Sequence, residues 1–515
     1  MPTHLLGIDV GTSGSKALLI DADGRVAASV TTEYPLSSPR PLWSEQDPHH
    51  WWNATVASIR GVLEQAGVAP SSIGAVGLTG QMHGLVLLDA RGEVLRPAML
   101  WNDQRTEAQC RAMHERTGLE QVIEYTGKPA LPSFTAPKIL WVREHEPEVF
   151  DAAAKMLLPK DYVRYRLTGA FFSDVADASG TSLFDVRKRS WCDEIIEALD
   201  VSRSWLPEVT ESPVASAAIS HAGAEATTLP AGTPVIAGAG DQAAEAVGCG
   251  IVEEGAVSVT IGTSGVVFAA MNEPRIDGEG KVHAYCHAVP GAWHLMGVML
   301  SAGGSLQWYR DTFFETETRR ARGAGIDPYD EILKPAANVR PGCEGLLFLP
   351  YLTGERTPHP DPYARGVFFG LTRRHTRAHT TRAVLEGVSF GLCDSVELMR
   401  GLGLDIRTVR ASGGGARSAL WRQILADVFR AEIVTVNTTQ GAAYGAALLA
   451  GVGIDVFADV PEACRRAVQI ADSTHPGDDA DIYADYYAQY RALYPALADQ
   501  FRAIARTDER HDGAD

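Results

Sequence analysis

The run Leu5-Leu6-Gly7-Ile8-Asp9-Val10-Gly11-Thr12-Ser13-Gly14-Ser15-Lys16 decides the fold. Its first half is short and apolar, as a buried strand is. Gly11–Gly14 is a turn of glycines and small hydroxyl residues, and Lys16–Ile20 is apolar again before the turn Asp21–Gly24. The pattern reads as two strands joined by a Gly-rich turn, with a third strand after Arg25. Glycine lets backbone N–H groups come close to a ligand. A row of such groups beside two hydroxyls is an anion nest. A Walker A loop would need G-x-x-x-x-G-K-[ST] between a strand and a helix. Here the turn joins two strands, so a phosphate site at Gly11, Thr12, Ser13 and Lys16 is of another kind. One such turn alone would more simply be an ordinary hairpin.

The second copy shifts that balance. Ile261-Gly262-Thr263-Ser264-Gly265 repeats the pattern after the strand Val257–Ile261, with a further strand at Val266–Ala269. Two similar lobes would each open with such a hairpin, and Gly262, Thr263 and Ser264 would face the first turn across a central cleft. The copies differ where it matters chemically, because Asp9 is matched by Thr260. Duplication explains the turn in both lobes but not the carboxylate in one.

Outward from these turns, Asp47-Pro48 reads as an N-cap with proline at the first helical position. The helix behind it carries Trp52, Val56, Ile59 and Leu63 on one face. Ile73–Leu78 is a strand, Gly80–Gly84 a tight loop and Leu85–Leu88 another strand. Pro234–Ala239 is a strand ending in Gly238-Ala239-Gly240-Asp241. Thr408–Ala411 leads into Ser412-Gly413-Gly414-Gly415, then a helix with Leu420, Ile424, Leu425 and Val428 as its buried face. Gly441–Leu449 is helical, with small residues suited to close packing. The lobe boundary falls between Gly248 and Glu254. The division is an N-terminal lobe at 1–248, a C-terminal lobe at 249–506 and a charged, fraying tail at 507–515.

Composition bounds the function. The chain has 515 residues, 45% of them hydrophobic and 21% charged, and needs no disulfide or metal staple to build its cores. Its net charge of −18 argues against a nucleic-acid partner. Arg373-Arg374-His375 is the nearest thing to a basic cluster and reads as a solvated turn. The seven cysteines form no CxxC pair, so they read as buried thiols in a reducing compartment. No leader pattern and no membrane-length apolar run is present, so the expected location is the cytoplasm, away from membranes. His49-His50 and Trp51-Trp52 are adjacent on a helix and point apart, so they read as helix start and core.

Phosphoryl transfer needs Mg2+, phosphate cradling and a group to take the hydroxyl proton. Asp9 ends a strand beside the first nest and could orient the metal through water. Asp241 ends a strand at a Gly-rich turn and is the candidate general base, with metal contact as a second role. Its plainer reading is a helix N-cap. The triplet Gly413–Gly415 would let a flat ring lie on the backbone, though a lone Gly-rich loop is also just a flexible turn.

Taken together, Leu5–Lys16, Gly238–Gly248, Gly262–Gly265 and Ser412–Ser418 resemble the FGGY family of carbohydrate kinases. Ser133–His145 is similar to one family signature. Gly366–Leu371 with His379–Glu386 is similar to the second, departing at Thr380, where the pattern has an apolar residue. The resemblance covers nearly the whole chain. It implies a two-lobed, actin-like (ribonuclease-H-like) α/β fold that uses ATP and Mg2+, with 1–248 as the sugar-binding lobe and 249–506 as the nucleotide-binding lobe. It implies Asp241 as catalytic base and ATP contacts at Gly414, Gly415 and Ser418. Gln81-Met82-His83-Gly84, Trp101–Arg105 and Leu349–His359 resemble segments of the members that act on D-xylulose. Gln81, Met82, His83, Trp101 and Asn102 are thereby implied at the sugar, with Met82 and His83 touching a ketopentose. Gln242 stands where many of those members have Asn, so it too belongs to the substrate set. The resemblance leaves a homodimer open. Rival readings are the same chemistry on D-ribulose, a xylitol-like polyol or a hexulose, and a non-kinase actin-like ATPase. The Met82-His83 loop argues against a filament protein, and the short run after the small-residue helix argues against a chaperone with an appended peptide-binding domain.

Overall fold

The computed structural model describes residues 4–438 and 440–512. The chain divides into two compact units. The first takes Met1–Glu254, Ala270–His294 and Asn437–Gln469. The second takes Gly255–Ala269, Leu295–Val436 and Ile470–Asp515. Both are α/β.

In the first unit the strands run in the order Ala215–Ala218, Pro234–Ile236, Ile73–Gly80, His4–Val10, Gly14–Asp21, Val26–Glu33. His4–Val10 is antiparallel to Gly14–Asp21 and parallel to Ile73–Gly80. Register sets the chemistry. Asp9 lies opposite Lys16 on one side and Thr79 on the other. Thr79 in turn lies opposite Ala239 of the short strand Ala239–Gly240. Three parallel strand ends therefore meet at one edge, where ligand sites of open α/β sheets form. The strand expected at Pro234–Ala239 is broken in two, with Gly238 between at φ +86°.

One face of this sheet packs on the helix Pro48–Ala66, whose Asp47 cap accepts from the His49 N–H at 2.9 Å. Trp51, Trp52, Ile59 and Leu63 are buried there, while Val56 is only partly so. The other face meets the helix Ala442–Val452 at the shortest range two backbones allow. A Cβ on Gly7 would fall 1.9 Å from the Ala443 carbonyl oxygen, and one on Gly77 2.0 Å from that of Ala446. Gly445 is equally tight: a Cβ there would fall 1.8 Å from the Ala244 oxygen. The small-residue helix thus belongs to the first unit.

The second unit is built on the strand order Trp293–Met299, Gly265–Met271, Val257–Ile261, Thr408–Ser412, Glu432–Val436, Ile470–Thr474. Val257–Ile261 is antiparallel to its hairpin partner and parallel to Thr408–Ser412, which repeats the pairing of the first unit. The echo is not a strict copy. Val10 pairs with Ser15, but Ile261 pairs with Gly265, so the second turn is one residue shorter. Where Asp9 stands in the first unit, the Thr260 and Ser412 hydroxyls lie 2.8 Å apart in the second.

Two sequence readings shift. Leu420 is only partly buried, and the buried face of helix Ala419–Phe429 is Trp421, Ile424, Leu425, Val428 and Phe429. The last helix runs Ala480–Asp512, so backbone expected to fray is helical to residue 512, and 513–515 lie outside the described residues. All seven cysteines are free thiols, with only Cys249 partly exposed. Arg373 and Arg374 sit in an exposed turn. No described helix is long and apolar enough to cross a membrane.

Candidate active site

The first unit gathers carboxylates at the meeting strand ends. Asp241 opens the helix Asp241–Gly248, with Gly240 rather than Asp241 in the N-cap position. Its Oδ1 accepts from the Gln242 N–H at 2.7 Å. The plainer reading as a cap therefore does not describe its geometry. Asp9 and Asp241 each keep an edge open to solvent, yet enough protein surrounds them to disfavour charge. Burial, opposed by the Lys16 ammonium, pushes Asp9 up to about 6. Burial first, then the charge of Asp9, pushes Asp241 up to about 7, with Glu245 adding to the rise. Glu245 lies one helical turn beyond Asp241, on the same face. It is itself shifted up by burial and by Asp9. A carboxyl poised near neutrality is what general-base catalysis at physiological pH requires.

Lys16 donates to the Gln440 backbone oxygen at 3.0 Å and to its side-chain oxygen at 2.9 Å. Burial lowers its pKa and Asp9 counteracts. Thr12 and Ser13 lie in the turn with Gly11, whose N–H donates to the Gly14 oxygen at 3.0 Å. Gln81 is drawn into this turn. Its Nε2 donates to the Gly11 carbonyl at 3.2 Å and to Gln46 Oε1 at 3.0 Å, and its Oε1 accepts from Thr12 Oγ1 at 3.2 Å. The exposed Trp101 also reaches the turn, its indole N–H donating to Thr12 Oγ1 at 2.9 Å. Gln81 and Trp101, expected at the sugar, thus have hydrogen bonds committed to the Gly11–Gly14 turn.

Met82 and His83 form a buried pair held by glycines. A Cβ on Gly240 would collide with Met82, and one on Gly180 with both side chains. His83 adopts φ +68°, and its Nδ1 lies 2.7 Å from the Gly180 oxygen, which orients the ring. Phe134 stacks obliquely at 4.7 Å. The His83 carbonyl accepts from the buried Lys138 ammonium at 2.8 Å and from Thr135 Oγ1 at 3.1 Å. Burial lowers Lys138 to about 7. The stretch Ser133–His145 therefore serves to fix the backbone at His83. Among the described residues the buried Asn102 Oδ1 has no hydrogen-bond partner, which leaves an acceptor that a ligand hydroxyl could meet. Gln242 sits beside Asp241, partly exposed.

In the second unit a cavity of about 510 Å³ opens beside the other Gly-Thr-Ser-Gly turn. Gly262, Thr263, Gly414, Gly415 and Ser418 line it, with Leu306, Tyr329 and Leu333 supplying apolar wall; Ser264 is not part of the lining. Gly413 at φ +82° turns the chain so that Gly414 and Gly415 present bare backbone. Ser418 caps the following helix, accepting from the Trp421 N–H at 3.2 Å. Size and lining suit a flat heterocycle.

Among the described residues no group of three or more His, Cys, Asp or Glu is arranged to hold a metal ion. A Mg2+ ion here would take few protein ligands and fill the rest from water and phosphate. Asp9 fits that role, because its buried Oδ1 lacks a partner among the described residues.

Sequence reasoning missed Tyr34, Gln46, Lys138, Glu245 and Gln440. Glu245 had a signal, four residues after Asp241 at helical spacing. Gln46 lay beside the Asp47-Pro48 cap and was hidden by it.

Comparison with known proteins bears on these features. The model of the N-terminal domain of the FGGY family of carbohydrate kinases matches residues 4–248, and that of its C-terminal domain matches 257–454. A xylulose kinase of Escherichia coli (strain K12) is 44% identical over 87% of this chain and 89% of its own. One of Bacillus subtilis (strain 168) is 38% identical over 92% of this chain and 93% of its own. A crystal structure described as a xyloylose kinase from Brucella ovis superposes with a TM-score of 0.88 at 37% identity, covering 96% of this chain and all of that one.

Proposed function

We propose a specific reaction for this chain, which belongs to the FGGY family of carbohydrate kinases. It transfers the γ-phosphoryl group of ATP to the terminal hydroxyl of D-xylulose, giving D-xylulose 5-phosphate and ADP. The xylulose kinases among its relatives support the acceptor. The observation that carries the chemistry is Asp241, held near neutrality by burial and by Asp9 at a strand-end site.

In this reading Asp241 takes the hydroxyl proton as the oxygen attacks phosphorus. The buried Met82 gives the sugar an adaptable wall, while His83 and Asn102 offer polar groups. Gln242, next to the base, meets a further hydroxyl. The turn Gly11–Ser13 with Lys16 faces phosphate, and Gly262, Thr263, Gly414, Gly415 and Ser418 receive the nucleotide. Ser264 remains a phosphate candidate beyond the cavity lining. Asp9 would hold Mg2+ through water, with Asp241 as an additional contact, and the ion would neutralise phosphate charge. The acidic surface, at net charge −18, suits a small-molecule partner rather than nucleic acid. The reading also includes the cytoplasm, where thiols stay reduced, and a homodimer, which light scattering tests.

The test is sugar-dependent ADP release with D-xylulose, D-ribulose, xylitol and a hexulose. D-Xylulose should give the highest kcat/KM. A higher value for another acceptor would reassign the substrate, and ATP hydrolysis indifferent to every acceptor would overturn the kinase reading.

A further inference from the structure

We propose that Tyr34 and Gln46 are positioning residues that lock the peptide groups of the Gly11–Gly14 turn, so that its N–H groups are presented to phosphate. This rests on the phosphoryl-transfer reading above.

A trans peptide is planar, so a carbonyl and the N–H that follows it point in opposite directions. Fixing each carbonyl of a turn therefore fixes each N–H. In this turn every carbonyl is taken. That of Gly11 accepts from the Tyr34 hydroxyl and from Gln81 Nε2 at 3.2 Å. That of Thr12 accepts from Gln46 Nε2 at 2.7 Å. That of Ser13 accepts from the Tyr34 N–H at 3.2 Å, and that of Gly14 from the Gly11 N–H at 3.0 Å. The N–H groups of Thr12, Ser13 and Gly14 consequently face away from these tethers. Glycines make such a turn prone to peptide reversal. One reversal would present a carbonyl oxygen to a phosphate oxygen, which repels.

Gln46 can act this way because its amide is held at both ends. It is nearly fully buried. Its Oε1 accepts from Trp51 Nε1 at 2.9 Å and from Gln81 Nε2 at 3.0 Å. Two donors at one atom identify it as the oxygen, so the NH2 faces Thr12. Tyr34 clasps the turn at two points, through its hydroxyl and its backbone N–H. In the second unit the matching turn is tied by backbone, the Thr263 carbonyl accepting from the N–H groups of Ala302 and Gly304 at 2.9 and 3.0 Å. The first turn is held by side chains, and so can be loosened by substitution.

Three variants test this in the full chain: Tyr34→Phe, Gln46→Leu and Gln46→Glu. The last keeps the shape and an acceptor for Trp51, but sets a carboxylate oxygen against the Thr12 carbonyl. Steady-state kinetics and MgATP binding by calorimetry are read on each. The expected result is about a tenfold or greater rise in KM and Kd for MgATP with a fall in kcat, largest for Gln46→Glu, and KM for D-xylulose within about twofold. MgATP binding within twofold of wild type in all three overturns the proposal. So does a parallel rise of both KM values with a lowered Tm, which marks general loosening. Calorimetry needs no acceptor, so weakened MgATP binding supports the latch even if wild type phosphorylates none of the sugars. In that case only the functional reading falls.

Discussion

Asp9 and Asp241 are brought together by sheet register, and the charge of one raises the proton affinity of the other. Asp9 is opposite Thr79, Thr79 is opposite Ala239, and Asp241 follows two residues later. Among the described residues neither carboxyl has a cation bonded to it, and Lys16, the nearby cation that opposes the shift of Asp9, has its hydrogen bonds on Gln440. The site therefore holds two acids that the fold prefers uncharged.

That preference has a cost to stability with a definite sign. The folded-state pKa of Asp241 lies above its unfolded value of 3.8. Its contribution is therefore full below that value and lost as pH rises through about 7. Asp241→Asn should raise thermal stability at pH 8 by about 1–3 kcal/mol. The gain should shrink at pH 5.5. Calorimetric unfolding at the two pH values checks it, and equal or opposite changes would contradict it.

The same shift predicts a pH profile. The base must be ionised, so kcat/KM for the sugar should rise with pH and level off above about 7. Glu245 adds to the upward push on Asp241. Glu245→Gln should therefore move the acidic limb toward lower pH while leaving the plateau active. A limb that stays in place would remove Glu245 from the electrostatics of the base.

The leftover acceptor at Asn102 makes a prediction about the sugar alone. Asn102→Leu keeps the branched heavy-atom shape and removes the buried Oδ1. KM for D-xylulose should rise about tenfold or more, because a site built to bond a hydroxyl discriminates strongly. KM for MgATP should hold. Initial rates varied in each substrate separate the two.

Close packing of helix Ala442–Val452 on the first sheet predicts large effects from one methyl group. Gly7→Ala places a Cβ 1.9 Å from a backbone oxygen, which no rotamer relieves. Destabilisation of about 2–4 kcal/mol is expected from such overpacking. Denaturant unfolding measures it, and a loss under 1 kcal/mol would contradict the packing.

What was legible in the sequence follows from the range of each signal. The hairpin around Gly11–Gly14, its echo at Gly262 and the cap at Asp47 are local, and all three stand in the structure. Asp241 was legible as a strand-end carboxylate, but its neighbour Asp9 comes from a strand far away in sequence, so the raised pKa was not. Gly441–Leu449 was legible as a helix of small residues suited to close packing, yet only Gly7 and Gly77 in space show which sheet it covers. Gln81 and Trp101 are marked as sugar contacts by the family resemblance. Their hydrogen bonds to Gly11 and Thr12 were not legible, because they join loops distant in sequence. Gln46 and Tyr34 are ordinary residue types whose role exists only through the carbonyls they meet.

Whether Asp241 takes the hydroxyl proton is decided by kcat of Asp241→Asn with saturating MgATP and D-xylulose at pH 8, on protein whose unfolding transition shows it folded. A fall of about 10²–10⁴-fold with MgATP binding retained is expected. Turnover within tenfold of wild type would contradict it.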